Sequence, residues 1–237
     1  MAAKKKRGKR KKRRVSWPVR IALTLVAAVV LGVGYVVVTW PDVDAMKSGP
    51  VRTSAFIAST PGAKQRWLPY AMIDDDMKVA VVAAEDTTFY KHHGFDTYEI
   101  GEALKDALFG GDGLRGASTI SQQVAKNLWL SPDRSFVRKL KEAVLTWQLE
   151  RALSKERILE IYLNVAEFGP GVYGVEAASQ KYYGHSAASL SVNEAARLAA
   201  GLPRGAWNPS QTSEAYLQSV ERLERRMKRL AWLRDLI

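Results

Sequence analysis

The chain has 237 residues, with 36 Lys and Arg against 24 Asp and Glu, and no cysteine. At 47% hydrophobic and 25% charged residues it can bury a full core, which excludes wholesale disorder. The missing cysteine excludes disulfide scaffolds, thiolate metal sites and a Cys nucleophile, while a formal charge of +12 suggests nucleic acid or anionic lipid as partner.

The distribution of charge decides between those partners. Residues 1–20 carry eleven basic side chains (Lys4, Lys5, Lys6, Arg7, Lys9 to Arg14 and Arg20) and no acid, leaving 25 basic against 24 acidic residues elsewhere. The protein is a nearly neutral body with a basic tail. Residues 21–40, Ile21 to Trp40, then run without a charge. A helix of that length covers roughly 30 Å, the hydrocarbon thickness of a bilayer. The run is longer than a signal-peptide core and has no polar face, so it reads as one transmembrane helix. Trp17, Tyr35 and Trp40 lie near its ends, where amphipathic rings favour the interface. Basic residues beside a span stay cytoplasmic, which places residues 41–237 on the outer side of the inner membrane. The tail is thus a topology signal that also suits anionic headgroups, not a nucleic-acid arm.

Residues 41–65, with Gly49-Pro50 and Pro61-Gly62, read as a stalk or a loosely packed lead-in. Residues 66–237 read as the functional domain. Asp74 to Asp76 can cap a helix through Val79, Val81 and Val82, with a short strand as the alternative. Tyr98–Phe109 is amphipathic through Ile100, Leu104, Leu108 and Phe109. Ser135–Leu153, Lys155–Asn164 and Val192–Leu202 read as helices, and Leu217–Ile237 closes the chain with an apolar stripe. The fold class is mainly α.

Several familiar chemistries are absent. There is no Gly-rich phosphate loop and no H-E-x-x-H, and three histidines are too few and too badly spaced for a His-based zinc site. No Ser-x-x-Lys or Lys-Thr-Gly occurs. What remains is a run of polar groups in apolar context. Glu85 follows Val79–Ala84, and burial plus the helix C-terminus would raise its pKa toward that of a general base, or leave it a surface Glu at a helix end. Ser118, Gln122 and Lys126 share one face if the segment is helical, suiting a phosphorylated or sugar ligand or simply a solvated face. Arg134, Arg138, Lys139 and Lys141 form a cationic cluster around Glu142, which otherwise is an ordinary i,i+4 pair with Arg138. Gly169, Gly171 and Gly174 imply close backbone packing.

In this order the segments resemble the peptidoglycan glycosyltransferases, the glycan-polymerising domain of class A penicillin-binding proteins and its monofunctional relatives. Glu85-Asp86-x-x-Phe89-x-x-His92-x-Gly94, Gly116-x-Ser118-Thr119-Ile120-x-Gln122-Gln123-x-x-Lys126-Asn127, Arg138-Lys139-x-x-Glu142 and Lys155-x-x-Ile158-Leu159-Glu160-x-Tyr162-Leu163-Asn164 carry the likeness, with Gly169-x-Gly171-x-x-Gly174 after them. It covers about residues 65–210. Gly205 departs from a stretch that usually contains proline.

The resemblance implies a lysozyme-like helical lobe and a smaller membrane-facing jaw lobe, for which Tyr98–Phe109 is the candidate, beside a mobile Gly110–Gly113 loop. It implies lipid II and the growing glycan strand as substrates, polymerised with inversion to β-1,4-linked peptidoglycan, and no transpeptidase domain. Glu85 is then the general base and Glu142 the second catalytic carboxylate. Asp86, Phe89, His92, Ser118, Thr119, Gln122, Gln123, Lys126, Asn127, Arg134, Arg138, Lys139, Tyr162 and Asn164 form the substrate-binding set. No cofactor is required; a divalent cation, Mg or Mn, would suit the diphosphate, but no metal-ligand set is evident. Cell-wall synthesis or division proteins are the implied protein partners. A muramidase or lytic transglycosylase, and a non-catalytic wall scaffold, are the alternatives; the cationic cluster favours a diphosphate leaving group over a sugar one.

Overall fold

A computed structural model describes residues 16–52, 54–109, 118–131, 133, 135–202 and 209–237; within 103–109 it describes side-chain surroundings only for Lys105. Arg134, the Gly110–Gly113 loop and Gly205 lie outside the described residues, as do the burial and contacts of Leu104, Leu108 and Phe109.

The first helix, α1 (Trp17–Thr39), starts four residues before the apolar run and has proline in its first turn, where a missing N–H costs nothing. Its 23 residues span about 35 Å. Thr24 donates to the Arg20 carbonyl (2.9 Å) and Thr39 to that of Tyr35 (2.7 Å), so both hydroxyls are satisfied within the helix. Leu23, Leu25, Val29, Leu31 and Val38 are all exposed, and the helix is long and apolar enough to cross a membrane.

Residues 42–237 form a second unit, and it is mainly α. The segment read as a stalk or a loosely packed lead-in belongs to this unit. Val43, Val51 and Ser54 are buried, α2 (Ala55–Ser59) docks on α5 (Ile120–Trp129), and β1 (Lys64–Gln65) pairs in parallel with β2 (Val172–Tyr173). The helix-or-strand ambiguity resolves as α3 (Asp75–Glu85). Asp74 caps it through the Asp76 N–H at 2.9 Å, and Asp75 and Asp76 favour the positive end of its dipole. Met77 to Ala83 are buried on every side, so tertiary burial overrides the strand preference of the valines.

Two helix groups make the core. In one, α3 packs on α9 (Val192–Gly201) and α10 (Glu214–Arg229). In the other, α5 packs on α6 (Phe136–Ala152) and α7 (Lys155–Val165). α8 (Val175–Tyr182), which the periodicity did not signal, follows β2, and α4 (Thr97–Phe109) precedes α5 in the chain. The closing helix is shorter than its stripe. It ends at Arg229, where the Leu230 N–H is shared between the Arg226 and Met227 carbonyls, and a 3-10 turn buries Leu233.

One glycine is dictated by close approach. Gly174 sits at φ +85°, and a Cβ there would lie 2.7 Å from the Asn164 carbonyl oxygen. Gly174→Ala combines left-handed strain with a backbone clash and should cost about 2–3 kcal/mol. Calorimetry should show a Tm lower by roughly 5–10 °C.

Candidate active site

α3 ends at Glu85, so the last helical residue delivers its carboxylate where the two helix groups meet. The junction is built by the next residue. Asp86 Oδ2 accepts the Ile120 N–H at 3.0 Å, joining the end of α3 to the start of α5. His92 Nδ1 accepts the Gly94 N–H (3.1 Å), so its Nε2 carries the proton and donates to Asp86 (3.0 Å). Phe89 is fully buried, edge-on to Tyr90 and His92, with the Lys155 ammonium 4.4 Å from its ring centre.

Glu85 Oε2 accepts from Gln123 Nε2 at 2.5 Å, while Glu85 Oε1 is buried without a hydrogen-bond partner among the described residues. Burial pushes the Glu85 carboxyl above the usual range; the Gln123 N–H and the Lys126 charge oppose this, and the Asp86 charge adds to it. The result is a carboxylate with one oxygen pinned and the other without a partner among the described residues.

Lys126 lies one turn beyond Gln123. Burial pushes its ammonium down, Glu142 and Glu85 push back, and Arg138 and Lys139 lower it further. Glu142, only 2% exposed, accepts from Arg138 Nη1 at 3.1 Å and from Lys139 Nζ. Arg138 Nε is buried with no partner among the described residues. Three cations therefore surround one buried carboxylate, an arrangement that suits a strongly anionic ligand.

A cavity of about 270 Å³ is lined by Glu85, Ser118, Thr88, Asp96, Glu99 and Arg226, among others. A second, of about 170 Å³, is lined by Gln123, Lys126, Asn127, Tyr162, Glu167 and Phe56, among others. The Glu85–Gln123 hydrogen bond runs from the lining of the first to the lining of the second.

The model of the family described as "Transglycosylase" matches residues 53–231. The chain belongs to the transglycosylase family. It is 50% identical over 168 residues to a biosynthetic peptidoglycan transglycosylase of Chromohalobacter salexigens, covering 70% of this chain and 71% of that one. A protein of the same description from Shewanella frigidimarina is 50% identical over 182 residues, 76% of this chain and 80% of the relative. One from Methylobacillus flagellatus is 42% identical over 213 residues, 88% and 93% of the two chains.

Within this transglycosylase the residues singled out from the sequence divide into two groups. Glu85, Ser118, Gln123, Lys126 and Asn127 line the cavities, as do Asp86, Thr119 and Tyr162, which also hold the frame, with the Arg138–Lys139–Glu142 cluster beside Lys126. Others hold the frame. Ser118 precedes the helix, so the expected Ser118–Gln122–Lys126 face does not form: Thr119 is the N-cap and Gln122 folds back onto it in a capping box. Thr119 also donates to the Gly94 carbonyl at 2.7 Å. Asn164 is buried; its Oδ1 accepts the Leu68 N–H (2.7 Å) and its Nδ2 donates to the Leu68 carbonyl (2.9 Å). Tyr162 also lines the second cavity and donates to Gln123 Oε1 at 3.3 Å.

Sequence reasoning missed Arg226. It comes from α10, donates to the Ala83 carbonyl at 2.8 Å and lines the cavity beside Glu85. In the sequence it is one of several basic residues in Arg225-Arg226-Met227-Lys228-Arg229, and nothing local separates it from its solvent-facing neighbours.

Proposed function

We propose that this transglycosylase polymerises lipid II into peptidoglycan glycan strands, releasing undecaprenyl diphosphate. The observation that carries the reading is the buried Glu85, whose Oε1 has no partner among the described residues and whose carboxyl feels the Lys126 charge. Glu85 Oε1 takes the proton of the acceptor's GlcNAc 4-hydroxyl as that oxygen attacks the anomeric carbon of the donor chain's MurNAc. The new β-1,4 bond forms with inversion as the bond to the diphosphate breaks. A diphosphate is a weak base and leaves without a strong general acid, but its charge needs cations. Lys126, Arg138 and Lys139 supply them, and the unpartnered Arg138 Nε is a donor for an oxygen of that group. Glu142 holds Arg138 and Lys139 in place. Ser118, Gln123 and Asn127 contact sugar or phosphate groups, while Asp86, Phe89, His92, Thr119, Gln122 and Asn164 act by holding the frame. Arg226 is the cation for the acceptor side. The relatives' printed description as biosynthetic peptidoglycan transglycosylases supports the substrate class.

The basic tail before α1 supports a cytoplasmic N-terminus and an extracytoplasmic catalytic domain. Seating on the bilayer is supported by α6, where Phe136, Val137, Leu140, Val144 and Trp147 are exposed at helical spacing, Phe136 at 84%. The sequence reading gave this role to α4, on which Tyr98 and Ile100 are exposed. Replacing Phe136 and Leu140 together by Ser should raise the apparent KM for lipid II in vesicles roughly three- to tenfold with kcat unchanged, as expected for partial loss of apolar burial. An unchanged KM would remove α6 from the membrane surface.

The full-length protein incubated with labelled lipid II should yield glycan polymer that a muramidase digests. Release of fragments from finished wall without any polymer would instead identify a lytic enzyme, and neither product a scaffold.

A further inference from the structure

The reactivity of Glu85 depends on how Gln123 presents its amide. Turned one way, the amide gives an N–H to the carboxylate; turned over, it offers a carbonyl oxygen, which suits only a protonated carboxylic acid. Something must choose between these orientations. On α7, Tyr162 is 1% exposed, and its hydroxyl lies 3.3 Å from Gln123 Oε1. Burial and the Glu85 charge both push the phenol up, so Tyr162 keeps its proton and is a donor at this position. A donor there holds the carbonyl end of the amide and leaves Nε2 facing Glu85, where the 2.5 Å contact is seen.

We propose that Tyr162 is a positioning residue for the transfer reaction, locking the Gln123 amide so that its N–H holds Glu85 Oε2 and Oε1 alone accepts the acceptor's proton. The inference rests on the reading of Glu85 as general base and adds a component that acts through Gln123. The other groups around Glu85 leave Tyr162 this task. Asp86 is held by His92 and the Ile120 N–H, and Lys126, on the same helix as Gln123, acts through charge. From α10, Arg226 donates to the Ala83 carbonyl, and Asp96 and Glu99 line the same cavity. From α6, Arg138, Lys139 and Glu142 act on Lys126. Arg197 on α9 bonds Asn193 and the Pro209 carbonyl, and Arg234 of the closing turn pairs with Asp76 at the far end of α3.

The test is the pH profile of kcat/KM for lipid II polymerisation by the full-length Tyr162→Phe variant. Losing the donor favours the overturned amide and the protonated acid, so the acid limb should move to higher pH. Activity should fall roughly three- to tenfold below that limb, the weight of one ordinary hydrogen bond, with near wild-type rates above it. A superimposable profile, or the same loss at every pH, overturns the proposal, because a packing role has no reason to follow Glu85. In a Gln123→Leu background, Tyr162→Phe should change nothing further; an added acid-limb shift there also overturns it. Should Tyr162→Phe fail to fold by circular dichroism, 3,5-difluorotyrosine at position 162 keeps the ring and strengthens the donor. The limb should then move to lower pH, and an unmoved limb counts against the lock. Absence of polymer from the wild type at any pH would sink the functional reading instead. Isotope-edited infrared titration of the Glu85 carboxyl in wild type and Tyr162→Phe would then decide the lock, with unchanged titration refuting it.

Discussion

Glu85→Gln should severely reduce polymerisation while making the protein more stable at neutral pH. The amide keeps the shape of the side chain but has no basic oxygen, so kcat/KM should fall by roughly 10²–10⁴, the range supplied by a positioned general base. The stability sign follows from linkage. The folded-state pKa of Glu85 is raised, chiefly by burial, above its unfolded value. Its contribution is therefore fully present below the unfolded pKa, near 4.5, and is lost as pH rises through the folded value. Above the unfolded pKa burial weighs against the ionised form of Glu85, and the neutral amide escapes that cost. Calorimetry at pH 7 should show Tm higher by about 2–4 °C in the variant, the response to roughly 1 kcal/mol in a domain of this size, and little gain below pH 4.5. A fall in Tm at pH 7 would indicate that Glu85 is a structural partner of Gln123 and not a strained base.

Lys126→Ala should leave the fold intact and reduce polymerisation by roughly 10²–10³, the cost of removing one group that stabilises charge on a departing oxyanion. Lys126 carries its charge against burial, which is tolerable because Glu142 and Glu85 lie near it. The same burial gives a pH signature. Lys126 must be protonated to hold the diphosphate, and its pKa is pushed down from the ordinary lysine value, so the alkaline limb of kcat/KM should belong to it. Activity should be bell-shaped, rising as Glu85 ionises and falling as Lys126 loses its proton. In Lys126→Arg the alkaline limb should move up beyond reach, since guanidinium does not deprotonate in this range. Retained wild-type turnover in Lys126→Ala, or an alkaline limb unmoved in Lys126→Arg, would remove Lys126 from the leaving-group site.

Both predictions use residues legible in the sequence, but the division of labour among their neighbours was not. Gln122 and Gln123 are adjacent, and no spacing rule distinguishes them. The structure turns Gln122 back onto Thr119 as a cap and aims Gln123 at Glu85, because the helix starts at Ile120. Asn164 reads as polar and available within its motif, yet it fastens Leu68 from a site about a hundred residues away in sequence. Arg226 has no local signal because its role exists only once α10 packs along α3.

By itself the sequence determined what depends on local order. An uncharged run of bilayer length behind a basic tail is a property of consecutive residues. So is a set of motifs in a particular order, and so are helices whose caps and apolar stripes lie within a few turns. The tertiary structure alone decided what depends on burial across distant segments. It showed which oxygen of Glu85 is pinned and which has no partner among the described residues, which polar residues turn inward to hold the frame, and that the segment after the apolar helix is packed into the domain. Hydrogen-bond satisfaction and desolvation are properties of the surroundings, and those surroundings assemble only when α3, α5, α7 and α10 meet.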